Sequence, residues 1–115
     1  MPTEIRHIIF TNDEVMRAVV EYHKRTANPL PPGNVIRCAP EKVDQQIKLS
    51  LHVALDADGA RQILVLEEPV LAAALIFYCI QNKIPLPTKA AKSLQMVGEQ
   101  VALKVTKENT KKPTR

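Results

Sequence analysis

Residues 60–87 read ARQILVLEEPVLAAALIFYCIQNKIPLP, and this stretch decides the fold. It contains, in order, an apolar strand, two acidic residues and a proline typical of a helix start, an apolar helix, and a Pro-Leu-Pro turn. The same order occurs 56 residues earlier, where residues 4–31 read EIRHIIFTNDEVMRAVVEYHKRTANPLP. Strand-like sequence follows each stretch. The spacing therefore predicts a strand–helix–strand–strand unit that occurs twice, at about 4–55 and 60–105.

The first helix has a start signal at Thr11. Its hydroxyl can accept a hydrogen bond from the Glu14 amide, and the Glu14 carboxylate can accept one from the Thr11 amide, which is a capping box. The apolar residues that follow recur at helical spacing on one side, which predicts an amphipathic helix. Because Pro29 disfavours helical geometry in the residue before it, we expect the helix to end by Asn28.

The central segment predicts strands and a turn. Residues 35–38 indicate a short strand, followed by an irregular stretch through 40–44. Apolar and polar residues alternate over 47–55, which is typical of a strand with one buried face. Residues 56–59, Asp-Ala-Asp-Gly, have turn chemistry. Residues 61–66 then return as the second arm of a hairpin, and their apolar character on both faces predicts an interior strand.

The C-terminal segment predicts a second hairpin. It turns at Gly98 and pairs Leu94 and Met96 with the apolar residues of 101–105. From 106 to 115 the sequence is polar and basic, so we expect a disordered tail. The whole chain predicts one two-layer α+β domain over 1–105, in the order β-α-β-β-β-α-β-β, built from a duplicated unit of about 56 residues.

The second helix differs from the first because residues 70–80 are apolar all round. Such a helix must bury more than one face, either against the other helix or against another subunit. A two-layer domain leaves the outer side of a helix exposed, so we favour a homodimer contact through this helix. The candidate interface residues are Leu71, Ala74, Leu75, Phe77 and Tyr78.

The amino-acid composition disfavours several classes of protein. The 115 residues are 45% hydrophobic, enough for one core, but only 3% aromatic with no Trp, which disfavours a base-stacking nucleic-acid platform. The longest apolar run, 70–80, is shorter than the roughly 20 residues of a membrane span, and the first residues show no apolar signal core. We expect both cysteines to be buried thiols, and the protein to be cytoplasmic with no membrane partner.

The net charge of +4 and the pI of about 9.2 are due mainly to the tail, where four basic residues stand against one acidic residue. The first 105 residues are close to neutral. Lys83, Lys89 and Lys92 follow the second helix and are the candidate anion contact, although cations at a helix C-terminus are also ordinary. With the tail they support the alternative function, a small nucleic-acid-associated regulatory protein.

No pattern predicts an active site, so we expect no enzyme, no metal and no cofactor. The three histidines lie far apart without metal-ligand spacing. His23 and Cys79 occupy equivalent positions in the two units, which allows a Cys–His nucleophile; the alternative is that Cys79 belongs to the core. Asp56 and Asp58 begin like a calcium loop, but the strand-like residues 63–66 cannot wrap an ion.

The Tyr-Cys, Ile-Pro-Leu-Pro and Lys-Ala-Ala-Lys-Ser-Leu elements of residues 71–105 resemble stretches in short uncharacterised bacterial proteins. The resemblance implies no activity. Our first hypothesis from the sequence is therefore a non-enzymatic interaction or adaptor domain. It would form a homodimer and present a sheet face or a helix to a protein partner of unknown identity.

Overall fold

The computed structural model describes residues 2–26, 30–87 and 89–108. Its order of elements confirms the predicted α+β class. The predicted turn at Pro29 lies outside the described residues. The elements are β1 (Thr3–Phe10), α1 (Asn12–Lys24), β2 (Gly33–Val43), β3 (Gln46–Leu55), β4 (Arg61–Leu66), α2 (Glu68–Gln81), β5 (Ala91–Val97) and β6 (Gln100–Glu108).

The strands form two antiparallel three-stranded sheets. Sheet A has the order β1-β6-β5, and sheet B has the order β2-β3-β4. Each sheet combines a hairpin from one half of the chain with the first strand of the other half, since β1 pairs with β6 and β4 pairs with β3. The sheet pairing therefore links the two halves, and neither half completes a sheet from its own strands.

The helix starts follow local sequence chemistry. The Glu14 amide donates to the Thr11 hydroxyl at 3.1 Å, and the Thr11 amide donates to the Glu14 carboxylate at 2.9 Å, which confirms the capping box. Helix α2 begins after Glu67, whose side chain makes no capping hydrogen bond, and it carries Pro69 in the first turn.

The end of α2 has the hydrogen bonds of a Schellman motif. The Ile84 amide donates to the Cys79 carbonyl at 2.8 Å, and the Lys83 amide donates to the Ile80 carbonyl at 3.2 Å. Lys83 occupies the position that usually requires glycine, with φ of 58°. Its backbone therefore adopts the left-handed conformation, which is unfavourable for a residue with a Cβ atom.

The core lies between the two helices and the inner faces of both sheets. On β3 the alternation predicted from the sequence is confirmed, because Ile47, Leu49, Leu51 and Val53 are buried and the residues between them are less so. The other fully buried large side chains are Phe10, Val15, Val19, Leu71, Leu75, Cys79, Val101, Leu103 and Val105.

Strand β2 is longer than the sequence predicts. It runs through Pro40, which lies opposite Leu49, where an irregular stretch was expected. Since β2 is an edge strand, a missing amide hydrogen is tolerated there. The register shifts between Val35 and Arg37, which places a bulge in this strand.

The prediction of an interior strand at residues 61–66 is wrong. Strand β4 lies at the edge of sheet B, with β3 as its hydrogen-bonded neighbour. Ile63 and Val65 are 59% and 54% exposed. The sequence pattern was misleading because a strand that is apolar on both faces resembles an interior strand whether or not a neighbour covers its second edge.

The predicted turn at Gly98 is confirmed, the β2–β3 turn was not predicted, and the last strand is longer than expected. The β5–β6 hairpin turns at Gly98, whose φ is 63°, and pairs Leu94 with Leu103. The β2–β3 hairpin turns through Asp44 and Gln45, both with positive φ. Strand β6 continues through Glu108, so the first three residues of the expected tail are paired with β1; residues 109–115 lie outside the described part.

Candidate interaction surface

The structure corrects the helix interface predicted from the sequence. Leu71, Ala74 and Leu75 are fully buried in the core of the chain itself, so they offer no surface to a second subunit. Phe77 and Tyr78 are partly buried and also pack against the core or its neighbours. The apolar character of α2 is therefore explained in large part by burial within one chain.

Helix α1 and the residue that caps it cover part of the second face of α2. The Tyr22 and Phe77 rings meet edge-on with centroids 6.1 Å apart, and the Arg25 guanidinium lies 5.7 Å from the Phe77 centroid. On the other side, the Tyr78 ring meets Phe10 of β1 at 6.0 Å. Of the large aliphatic residues in α2, Ile80 is the exposed one, at 63%.

The three lysines predicted to contact an anion have different environments. The Lys92 ammonium donates to the carbonyls of Pro87 and Ala90, both at 3.2 Å, and so ties the loop before β5 to the start of that strand. Lys83 and Lys89 are exposed. Because the Lys92 ammonium already donates to two carbonyls of its own chain, it is a weaker candidate for an anion contact than the two exposed lysines.

The two cysteines are buried free thiols, as predicted. Burial raises the pKa of both thiols; the Asp13 carboxylate raises that of Cys38 further, whereas Arg6 partly offsets the rise at Cys79. A thiol with a raised pKa is a poor nucleophile. The environment of Cys79 is thus that of a core residue, which disfavours the Cys–His nucleophile considered from the sequence.

His23 is the one buried polar side chain among the described residues. Its Nδ1 lies 2.9 Å from the Val19 carbonyl, which can only accept, so Nδ1 carries a hydrogen and donates it. The ring also meets Tyr22 edge-on at 5.6 Å. These contacts are sufficient to hold His23 at the end of α1 without a ligand.

The described residues line open clefts, of which two are considered as ligand sites. The larger, of about 840 Å³, lies between the ends of α1 and α2 and the segment 30–35, and its walls include Met16, Leu30 and Phe77. The smaller, of about 520 Å³, lies between β2 and the β5–β6 turn. Within the described ranges no group of three or more His, Cys, Asp or Glu side chains could hold a metal ion.

Exposed large aliphatic side chains are concentrated on the strands. Six of the seven belong to the two sheets, whose outer faces have no helix packed on them in the described structure. The members on strands are Ile5, Ile9, Ile36, Ile63, Val65 and Val97. Single exposed apolar residues are ordinary on a protein surface and do not by themselves indicate binding. The edge strand on which such a residue lies therefore determines whether it is a candidate for binding.

Two of the four sheet edges, those of β2 and β1, have features that discourage pairing with another chain. Strand β2 has a bulge and Pro40. Strand β1 has Glu4, Arg6 and His7 in sequence, and the Arg6 guanidinium donates to the Pro85 carbonyl at 3.2 Å. Strand β5 has one lysine, Lys92, near its start, just as β4 has Arg61 at its first position, so a charge at the start does not separate these two edges. Bulges, prolines and charges are the usual means by which edge strands avoid association.

Strand β4 differs from β5 in having two aliphatic side chains that are more than half exposed, Ile63 and Val65, and it has no charged residue from Gln62 to Leu66. The Leu55 amide donates to the Ala60 carbonyl at 2.8 Å, so residues 60 and 55 form a bonded pair. Bonded and non-bonded pairs alternate along an antiparallel ladder, and therefore the backbone groups of Arg61, Ile63 and Val65 face the open edge. The β4 edge is the candidate interaction surface.

No helix among the described residues is long and apolar enough to cross a membrane. No family model matches the chain, and neither the curated proteins nor the solved structures contain a significant match.

Proposed function

We propose that this chain is a non-enzymatic protein-interaction domain that self-associates through sheet B. The observation that supports the proposal is the open β4 edge, where Ile63 and Val65 are more than half exposed and unpaired backbone groups lie alongside them. An exposed apolar edge is a template for pairing with another strand. We further propose a cytoplasmic location, since two unpaired buried cysteines are typical of a reducing compartment.

The proposal differs from the helix interface expected from the sequence in the surface that it uses. Ile63 on β4 and Ile80 on α2 are the same residue type with similar exposure, 59% and 63%. Replacing each with lysine adds the same charge and the same side-chain length. The pair of variants Ile63→Lys and Ile80→Lys therefore compares the two surfaces directly.

The experiment is sedimentation equilibrium of the full chain and of both variants. We expect the full chain to dimerise, Ile63→Lys to raise the dissociation constant by at least about tenfold, and Ile80→Lys to leave it within about twofold. A monomeric full chain at millimolar concentration would contradict self-association. If Ile80→Lys were the disruptive change, α2 and not sheet B would be the interface.

A further inference from the structure

We infer that the partner of the β4 edge is the β4 edge of a second copy, paired antiparallel with Leu64 opposite Leu64. The inference rests on the proposed function and specifies its geometry. Backbone groups at residues 61, 63 and 65 face the open edge, so only registers that place these positions opposite one another can form ladder hydrogen bonds. This condition leaves a small number of symmetric registers.

Among those registers, the one centred on Leu64 matches side chains best. It places Ile63 opposite Val65, and Arg61 opposite Glu67, on the outer face of the combined sheet. Twofold symmetry repeats each of these pairs. A register centred on Ile63 places Arg61 opposite Val65, and one centred on Val65 places Glu67 opposite Ile63. The Leu64 register alone pairs opposite charges and overlaps the whole of 61–67.

Arg61 is exposed and has no partner of opposite charge among the described residues, whereas Glu67 would share its carboxylate between Lys48 of its own chain and Arg61 of the second copy. Glu67 is 57% exposed, has an extended backbone with φ −76° and ψ 162°, and lies 3.7 Å from Lys48 on the neighbouring strand. The Glu67 carbonyl accepts from the Val70 and Leu71 amides at the start of α2, both at 3.1 Å, so Arg61 and Glu67 would meet through their side chains while Ile63 and Val65 form the ladder hydrogen bonds.

Within one chain Arg61 and Glu67 cannot compensate for one another. Six residues of extended strand separate them by roughly 20 Å, beyond the range of a direct ion pair. A swap of their charges can consequently restore association only if the two residues meet across the interface. This property makes the register testable.

The test measures dimer dissociation constants of the full chain at low salt for Arg61→Glu, Glu67→Arg and the double variant. Each single reversal creates two like-charge pairs per dimer and should weaken dimerisation by about tenfold, whereas the double variant should return to within about threefold of the original. Lys24→Glu, an equal charge change in an exposed pair on α1, is the control and should have no effect.

A second readout does not depend on charge. Leu64→Cys should form a disulfide with its own copy under mild oxidation with diamide, because the two positions face each other, whereas Ile63→Cys alone should not. Failure of the charge swap together with no Leu64→Cys cross-link overturns this register. If Ile63→Lys still disrupts the dimer in that case, self-association through sheet B stands with a different geometry.

Discussion

Two edge strands, β1 and β4, open the two halves of the chain, and their surroundings differ. Each precedes a helix that begins 56 residues from the other, and each pairs with the hairpin of the opposite half. Strand β1 has two charges in its first half, Glu4 and Arg6, and the arginine is bonded to a loop carbonyl. Strand β4 has neither over residues 62–66. The comparison indicates that the first strand of one half has charges that oppose pairing with another chain, whereas the first strand of the other half has an open edge.

The largest expected effect tests whether the buried face of α2 belongs to the core, as the buried face of α1 does. Leu71 and Val15 occupy the same position in the two helices, and both are fully buried. Leu71→Ala should lower the free energy of unfolding by about 4 kcal/mol, since it removes buried surface and leaves a cavity. Urea denaturation measures the change. A loss as small as that of Ile80→Ala, which should be under about 0.5 kcal/mol, would contradict the assignment of Leu71 to the core.

The next effect concerns Gly33, the first residue of β2, where the backbone of β3 lies close. At Gly33 an added Cβ would lie 2.2 Å from the Ala54 carbonyl oxygen, and φ is 153°. Gly33→Ala should therefore destabilise the fold by about 3 kcal/mol through overlap and backbone strain. Gly59→Ala is the control, because its φ is also positive but nothing lies within 4 Å of the added atom. Equal losses of stability for Gly33→Ala and Gly59→Ala in thermal denaturation would show that the backbone at Ala54 moves away from the added Cβ atom.

The helix starts offer a smaller contrast. Thr11 caps α1 with its side chain, whereas Glu67 makes no such bond at the start of α2. Thr11→Ala should cost about 1 kcal/mol of stability, and Glu67→Ala less than half of that. Chemical denaturation of monomeric protein at low concentration separates these values from any effect on association. Similar losses at both positions would remove this difference between the halves.

The helix ends give the smallest expected change in the free energy of unfolding. This change is an increase, whereas the substitutions above lower the stability. Helix α1 ends at Arg25 with ordinary backbone geometry, while α2 ends through Lys83 in the left-handed region. Lys83→Gly should raise stability by about 0.7 kcal/mol because glycine adopts this conformation without steric cost. A thermal melt checks the direction. A decrease would mean that the Lys83 side chain contributes more than its backbone costs.

Much of the fold could be predicted because its signals are local. The capping box at Thr11, the alternation of β3 and the turn at Gly98 each depend on neighbouring residues, and the structure confirms all three. The edge position of β4 could not be predicted, since its apolar residues indicate burial without showing what supplies it. Pro40 was misleading for a related reason: proline excludes an interior strand but not an edge.

The sequence predicted a self-association surface on α2, whereas the surface that we propose lies on β4. A helix that is apolar all round indicates two buried faces, and here the helix–helix contact at Tyr22 and Phe77 supplies part of the second one. The signal that could have located the open edge was the apolar run at 63–66 beside a turn. Deciding between an interior strand and an open edge requires the pairing of β1 with β6, which is long-range information.

Amide hydrogen exchange at the edges of β1 and β4 shows directly whether β4 pairs with a second copy. It is measured by NMR on the full chain at about 20 μM and about 1 mM. We expect the Ile63 and Val65 amides to exchange at least about tenfold more slowly at the higher concentration, and the solvent-facing amides of β1 to exchange at the same rate at both concentrations. Exchange at Ile63 and Val65 that is equally fast at both concentrations would contradict the claim that β4 pairs with a second copy.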